Sequence, residues 1–145
     1  MMSITRSLTI QEVQGLGVAQ LDFNVDDKSN SIGTLLKHMA ALETWYQAIT
    51  FENRDLNEEE REVWKGALTG ELYLKLVKGN ELHYYLELLE NTRLRTIREL
   101  KKRDDDWLYL KSSSGSNNYF KWFHVMEDEI SHKGQIKWIK RRFTS

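Results

Sequence analysis

The stretch Ser31-Ile32-Gly33-Thr34-Leu35-Leu36-Lys37-His38-Met39-Ala40-Ala41-Leu42-Glu43-Thr44-Trp45-Tyr46-Gln47-Ala48-Ile49-Thr50-Phe51 sets Ile32, Leu35, Leu36, Met39, Leu42, Tyr46 and Ile49 on a 3.6-residue period. Such a period marks a helix with one buried face, and Asn30 or Ser31 stands where an N-cap is needed. Working outward, Ile4, Leu8, Ile10 and Val13 give a first helix over 3–14, ended by Gly15 and Gly17. Asn57-Glu58-Glu59-Glu60 opens a shorter helix to about Leu68, with a carboxylate three residues after a capping Asn. Asn80 is expected to cap a third long helix bearing Leu82, Tyr85, Leu86, Leu89, Ile97 and Leu100 and running to about Arg103. A loop over 104–118, with Trp107 and the flexible run Ser112-Ser113-Ser114-Gly115-Ser116, leads to a last helix over 119–142. No segment alternates as a strand does, and none repeats. The prediction is all-α: an antiparallel four-helix bundle with an additional short helix, spanning 1–145 as a single domain.

Composition narrows the function. The 145 residues suffice for one sizeable core, and 40% hydrophobic content with five Trp, six Tyr and five Phe is that of a globular chain. With no cysteine there is no disulfide scaffold, thiolate metal site or cysteine nucleophile. With no proline, long uninterrupted helices are favoured. A formal net charge of -1 gives no global field to draw nucleic acid or an anionic membrane. No segment approaches the roughly 20 apolar residues that cross a bilayer, and Met1 to Leu8 lacks the hydrophobic run of a signal peptide. A cytoplasmic protein is expected, with neither nucleic acid nor membrane as partner. Four histidines are left to explain.

Three potential metal ligands fall on one stripe of the last helix. His124, Asp128 and His132 are spaced by four residues, so each step turns about 40° and climbs about 6 Å, and Gln135 lies on the same side. The outer two stand about 12 Å apart along the axis, too far to share one ion, so a further ligand must come from another helix. His38 is the candidate, at the edge of the apolar stripe beside Leu35 and Leu42. An unpartnered buried imidazole costs roughly 1–3 kcal/mol. A metal held by His38, Asp128 and His132 satisfies all three and leaves a position open for water or substrate. A core histidine bonded to a hydroxyl or carboxylate is the competing reading.

Other features read as ordinary. His83 falls in the first turn of the third helix, as a surface or capping residue. Lys133, Lys137, Lys140, Arg141 and Arg142 suit a solvated helix C-terminus. Glu127 and Glu129 flank the presumed ligand and read as surface charges, with a supporting or basic role as the alternative. Trp122, Phe123, Val125, Met126, Ile136, Trp138 and Ile139 spread apolar surface around most of the last helix, which is then central in the bundle or buried in a subunit interface, a homodimer being the simpler expectation in so small a domain.

The segment Asn30-Ser31-Ile32-Gly33-Thr34-Leu35-Leu36-Lys37-His38-Met39-Ala40-Ala41-Leu42-Glu43 resembles the second-helix signature of the DinB-like (DinB/YfiT) metal-dependent hydrolase superfamily. His124 to Ile136 resembles its fourth-helix signature, in which a His-x-x-x-His pair precedes a basic residue, Gly and Gln. Gly79 to Leu86 and Asp104 to Leu108 are similar to its third helix and the loop that follows. The resemblance implies a four-helix bundle with one divalent transition metal, usually nickel or zinc, held by three side chains, and often a homodimer. It implies His38 and His132 as outer ligands. The middle ligand, commonly His in the family, falls on Asp128, giving two His and a carboxylate, a set that also suits Fe(II). His124 is then a fourth ligand, a donor behind the ligands or a substitute for Asp128. The first helix is shorter than in most relatives.

Two functions follow. One is a metal-dependent enzyme, which the resemblance makes a bacillithiol-type thiol S-transferase or a hydrolase, in which His124, Glu127 or Gln135 orients or deprotonates a thiol or water nucleophile. Its partner is a small-molecule substrate, with the sulfur supplied by a low-molecular-weight thiol because the chain has none of its own to offer. The other is a metal-free bundle with a decayed site, binding a small molecule or acting as a dimeric interaction protein.

Overall fold

The computed structural model describes residues 1–68, 76–112 and 115–143. Among these the regular elements are seven helices: α1 (Met2–Val13), α2 (Val18–Leu21), α3 (Ile32–Glu52), α4 (Glu58–Val63), α5 (Leu82–Leu100), α6 (Asp105–Leu108) and α7 (Asn118–Phe143). The four long ones are those expected. The single-turn helix α6 falls in the stretch read as loop and α2 in the segment between the first two long helices; both are too short to carry a periodic signal. Of the run expected to be flexible, Ser113 and Ser114 lie outside the described residues. Around them Lys111 and Asn117 pair across an isolated β-bridge.

Local chemistry sets most boundaries. Gly15, at a φ of 78°, takes the left-handed turn that ends α1. Ser31 caps α3, its hydroxyl accepting from the Thr34 amide at 3.1 Å. Asn57 and Glu60 form the reciprocal capping box expected for α4. Asn80, however, is not the cap of α5. Glu81 occupies that position, and the Asn80 amide donates instead to the Lys78 carbonyl and the Tyr85 hydroxyl.

α3 is the central element, packed against α5 on one side and α7 on the other, while α1 packs on α7. Its first turn approaches α5 closely at Gly33. A Cβ there would stand 2.5 Å from the fully buried Tyr85 hydroxyl, so only glycine fits. Between α1 and α5 a groove of about 380 Å³ remains, lined by Ile10, Leu86 and Leu94 over Arg6 and Arg93.

The buried face of α1 is not the one its apolar residues suggest. Thr5, Arg6, Thr9 and Val13 point inward, while Ile4 is 67% and Leu8 44% exposed. The cause is a buried ionic quartet to which each long helix gives one charge. Arg6 of α1 donates from Nε and Nη2 to both oxygens of Glu129 of α7, each at 3.0 Å. Arg93 of α5 grips Glu43 of α3 in the same bidentate way at 3.0 Å and reaches Glu129 at 3.3 Å. The hydroxyls of Thr9 and Thr96 complete Glu129 and Glu43 at 2.9 and 2.6 Å, and the remaining guanidinium N–H groups donate to the Leu89 and Met2 carbonyls. Glu129, read from the sequence as a surface charge, is 2% exposed. With two positive and two negative charges the quartet is neutral, and its polar atoms are met, as burial demands.

Removing one member leaves a buried charge uncompensated. Arg6→Met is expected to destabilise the fold by about 3–5 kcal/mol, and Arg6→Met/Glu129→Met, which restores neutrality, by clearly less. Urea unfolding of both variants checks this.

Candidate metal centre

The site lies where the middle of α7 crosses the first half of α3. His38 from α3 and Asp128 and His132 from α7 each offer one donor atom, and these atoms lie within 4.8 Å of one another. His132 Nε2 is 3.1 Å from one Asp128 oxygen and His38 Nε2 is 3.6 Å from the other. The two imidazoles meet edge to face, with ring centroids 4.9 Å apart. All three side chains are mostly buried yet reachable, at 25%, 16% and 17% exposure for His38, Asp128 and His132.

What aims the imidazoles is the atom each holds on its far side. His38 Nδ1 is 2.6 Å from the Ala67 carbonyl oxygen, and His132 Nδ1 is 2.6 Å from the Gln135 side-chain oxygen. Both acceptors require a proton on Nδ1, which leaves each Nε2 turned toward Asp128 and, once the ring is neutral, carrying the lone pair a metal would take. This is the support that metal-bound histidines receive in known sites. Two imidazole nitrogens and a carboxylate, pre-aimed at one point, can hold a divalent metal.

Without a metal the Asp128 carboxylate is faced by both imidazoles. Burial works against the charge on Asp128, but hydrogen bonds from His132 and His38 prevail and hold its carboxyl well below the usual carboxylate range. Burial likewise opposes the charge on His132. The acceptors Asp128 and Gln135 outweigh it, and its pKa is raised. Tyr46, two turns after His38 on α3, is pushed up first by burial and then by the Asp128 carboxylate, so its hydroxyl keeps its proton.

The other predicted residues divide. Gln135 is in the site, behind His132, as the spacing suggested. His124 lies outside the donor cluster. Its Nδ1 is 3.3 Å from Glu127, and its ring stacks on Phe120 and tilts against Tyr46. Glu127 is exposed and meets only His124 among its described contacts. His83 sits at the surface beside Glu81. Two participants escaped the sequence reading. Tyr46 was assigned to the core, although eight residues from His38 places it on the same helix face. The Ala67 carbonyl is backbone and left no signal at all.

The family model for mycothiol-S-transferase matches residues 1–144. The chain belongs to the mycothiol-S-transferase family. The DinB-like resemblance drawn from the two histidine segments is thereby upheld, and so is the fold. A crystal structure of a conserved protein from Enterococcus faecalis superposes with a TM-score of 0.73 at 15% identity, covering 97% of this chain and 91% of that one. No curated protein matches by sequence. Among the described residues no helix is long and apolar enough to cross a membrane.

The raised His132 pKa and lowered Asp128 pKa set a pH window for the metal-free protein. The His132 contribution to stability is complete below its unfolded pKa of about 6.5 and is lost as pH rises through the higher folded value. The Asp128 contribution is present above about 3.9 and is lost only as pH falls through its depressed folded value. Chelator-treated protein is therefore expected to lose thermal stability as pH rises above about 6.5 and through the raised folded pKa of His132. Asp128→Asn is expected to flatten that decline, as read by melting temperature from pH 5 to 9.

Proposed function

We propose that this protein is a divalent-metal-dependent S-transferase that joins a low-molecular-weight thiol of the mycothiol or bacillithiol type to an electrophile. The observation that carries the reading is the convergence of His38 Nε2, His132 Nε2 and Asp128 on one point, with both Nδ1 atoms tied off behind. His38, Asp128 and His132 would hold a divalent metal there, which would supply Lewis acidity to lower the pKa of a coordinating thiol or water.

In this reading His38, Asp128 and His132 hold the ion, and the Ala67 carbonyl and Gln135 fix the rings that face it. Tyr46, protonated beside Asp128, can donate a hydrogen bond to the incoming thiol or electrophile. The exposed His124–Glu127 pair stands one turn away on α7 and can pass the thiol proton to solvent. Gln135 also lines a recess of about 240 Å³ with Lys28, Asn30, Leu35 and Trp138, where the polar body of the thiol can lie. The cysteine-free chain requires that the reacting sulfur come with the cosubstrate. Nickel or zinc suits the donors, and Fe(II) is compatible with two His and one carboxylate.

One observation favours the metal-free alternative. Asp128 already satisfies His132 at 3.1 Å, so the cluster is stable chemistry without an ion. Elemental analysis of protein purified without a histidine tag separates the two. Near-stoichiometric transition metal, lost in His132→Ala, is expected, and metal-free protein with unaltered stability would favour the alternative. With metal present, thiol-plus-electrophile pairs should turn over and esters and amides should not. The reverse pattern would make the enzyme a hydrolase.

The support behind the ligands gives a graded test. Gln135→Leu is expected to weaken metal binding by about 10–100-fold while the helical circular dichroism is retained. Because His132 must lose its proton to bind, metal affinity should fall as pH drops below its raised pKa, with proton release on uptake measurable by calorimetry in two buffers.

A further inference from the structure

The seam between α3 and α7 that carries His38, Asp128 and His132 continues past them in both directions, and its two ends differ in chemistry. Toward the C-terminus of α7 it meets Gln135, which with Lys28, Ser29 and Asn30 makes that end polar. Toward the N-terminus it turns aromatic. Phe120 and His124 precede Asp128 at four-residue steps, so they prolong the ligand stripe with about 40° of rotation at each step. Tyr46 meets them from α3. Its ring centroid is 6.1 Å from that of His124, and Trp45 tilts against it at 6.3 Å. The Phe120 and His124 rings lie parallel to within 3°, with centroids 6.4 Å apart. These rings are not spent on the core. Phe120 is 56% exposed, the His124 side chain 38%, and Tyr46 and Trp45 are only partly buried.

Joining a thiol to an electrophile needs two places beside one centre, and each end of the seam suits one reactant. A thiol with a polar body belongs at the Gln135 end, which leaves the aromatic end for its partner. The faces of Tyr and Phe carry the negative side of the ring quadrupole, so they favour an electron-poor ring laid against them. The charges at that end are carboxylates. Glu127 is 3.3 Å from His124 Nδ1 and Asp128 follows one turn on, so an anion is disfavoured there. We propose that Tyr46, His124 and Phe120 form the electrophile subsite, and that it takes an uncharged, electron-poor aromatic ring carrying a leaving group. A ring laid on His124 stands about 6 Å along α7 from Asp128, so its edge reaches toward a sulfur held beside the three ligands. In the transfer the thiol gives its proton to solvent, and the sulfur electron pair forms the bond to the ring carbon. The leaving group departs as an anion with the pair of the bond that breaks.

This subsite rests on the S-transferase reading, so binding is measured without thiol and turnover separately. Equilibrium dialysis of 1,3-dinitrobenzene, an electron-poor ring with no leaving group, against the full chain reads the first. Phe120→Ala is expected to weaken binding about tenfold with unchanged helical circular dichroism, and Phe120→Trp to retain it. Tyr119→Ala, which removes a ring 57% exposed but turned about 100° away on the same helix, should change nothing. Nitrocyclohexane, of similar size but not aromatic, should bind about tenfold more weakly than the aromatic probe. Binding indifferent to Phe120→Ala, or nitrocyclohexane held as tightly, would overturn the proposal. With 1-chloro-2,4-dinitrobenzene and bacillithiol or mycothiol, Phe120→Ala should raise the KM of the aromatic and leave that of the thiol. Turnover whose KM for the aromatic ignores Phe120→Ala would uphold the S-transferase reading and overturn the subsite. Ring binding that depends on Phe120, with no turnover of either thiol, would uphold the ring site and remove the S-transferase reading.

Discussion

Everything else in this bundle depends on two arginines and two glutamates that meet at its centre. Because Arg6, Glu43, Arg93 and Glu129 come from the four long helices in turn, none can rotate without stranding a buried charge. Such a cluster is not a strong source of stability, since apolar residues of the same volume could serve as well. Its effect is on specificity. Each of its bidentate pairs is kept only while the two helices that carry it hold their rotation.

That arrangement decides where the three candidate ligands point. Glu129 is adjacent to Asp128, about 100° away around α7. With Glu129 locked inward on Arg6, Asp128 is turned to the side where α3 lies, and His132 follows one turn on. On α3 the same logic runs from Glu43 to His38, five residues earlier. Local bonds then finish the aim, as the Ala67 carbonyl and Gln135 each take an Nδ1 proton. The charges in the core orient the helices, and the bonds behind the imidazoles orient the rings.

The helices were legible because their apolar periods are long, and the capping box at Asn57 and the stop at Gly15 were legible because they rest on local chemistry. The site was legible for a related reason: four-residue spacing on a helix is a geometric statement, and it brought Asp128, His132 and Gln135 to one side. What the sequence concealed was the quartet. Its members are far apart in the chain, and a lone Arg or Glu in a helix looks the same whether it faces water or three other charges. The misreading of Glu129 and of the buried side of α1 share that cause. Asn80 is not the cap because the helix begins one residue later, with Glu81 at the cap position.

The central claim is that His38, Asp128 and His132 are aimed at a common ion by the bonds behind them. Anomalous diffraction at the metal edge, from crystals of protein purified without added metal or histidine tag, tests it most directly. The account predicts one anomalous peak bound by Nε2 of His38, Nε2 of His132 and an oxygen of Asp128, with both Nδ1 bonds intact. A peak at His124, ligation through Nδ1, or the absence of any anomalous signal at the cluster would contradict it.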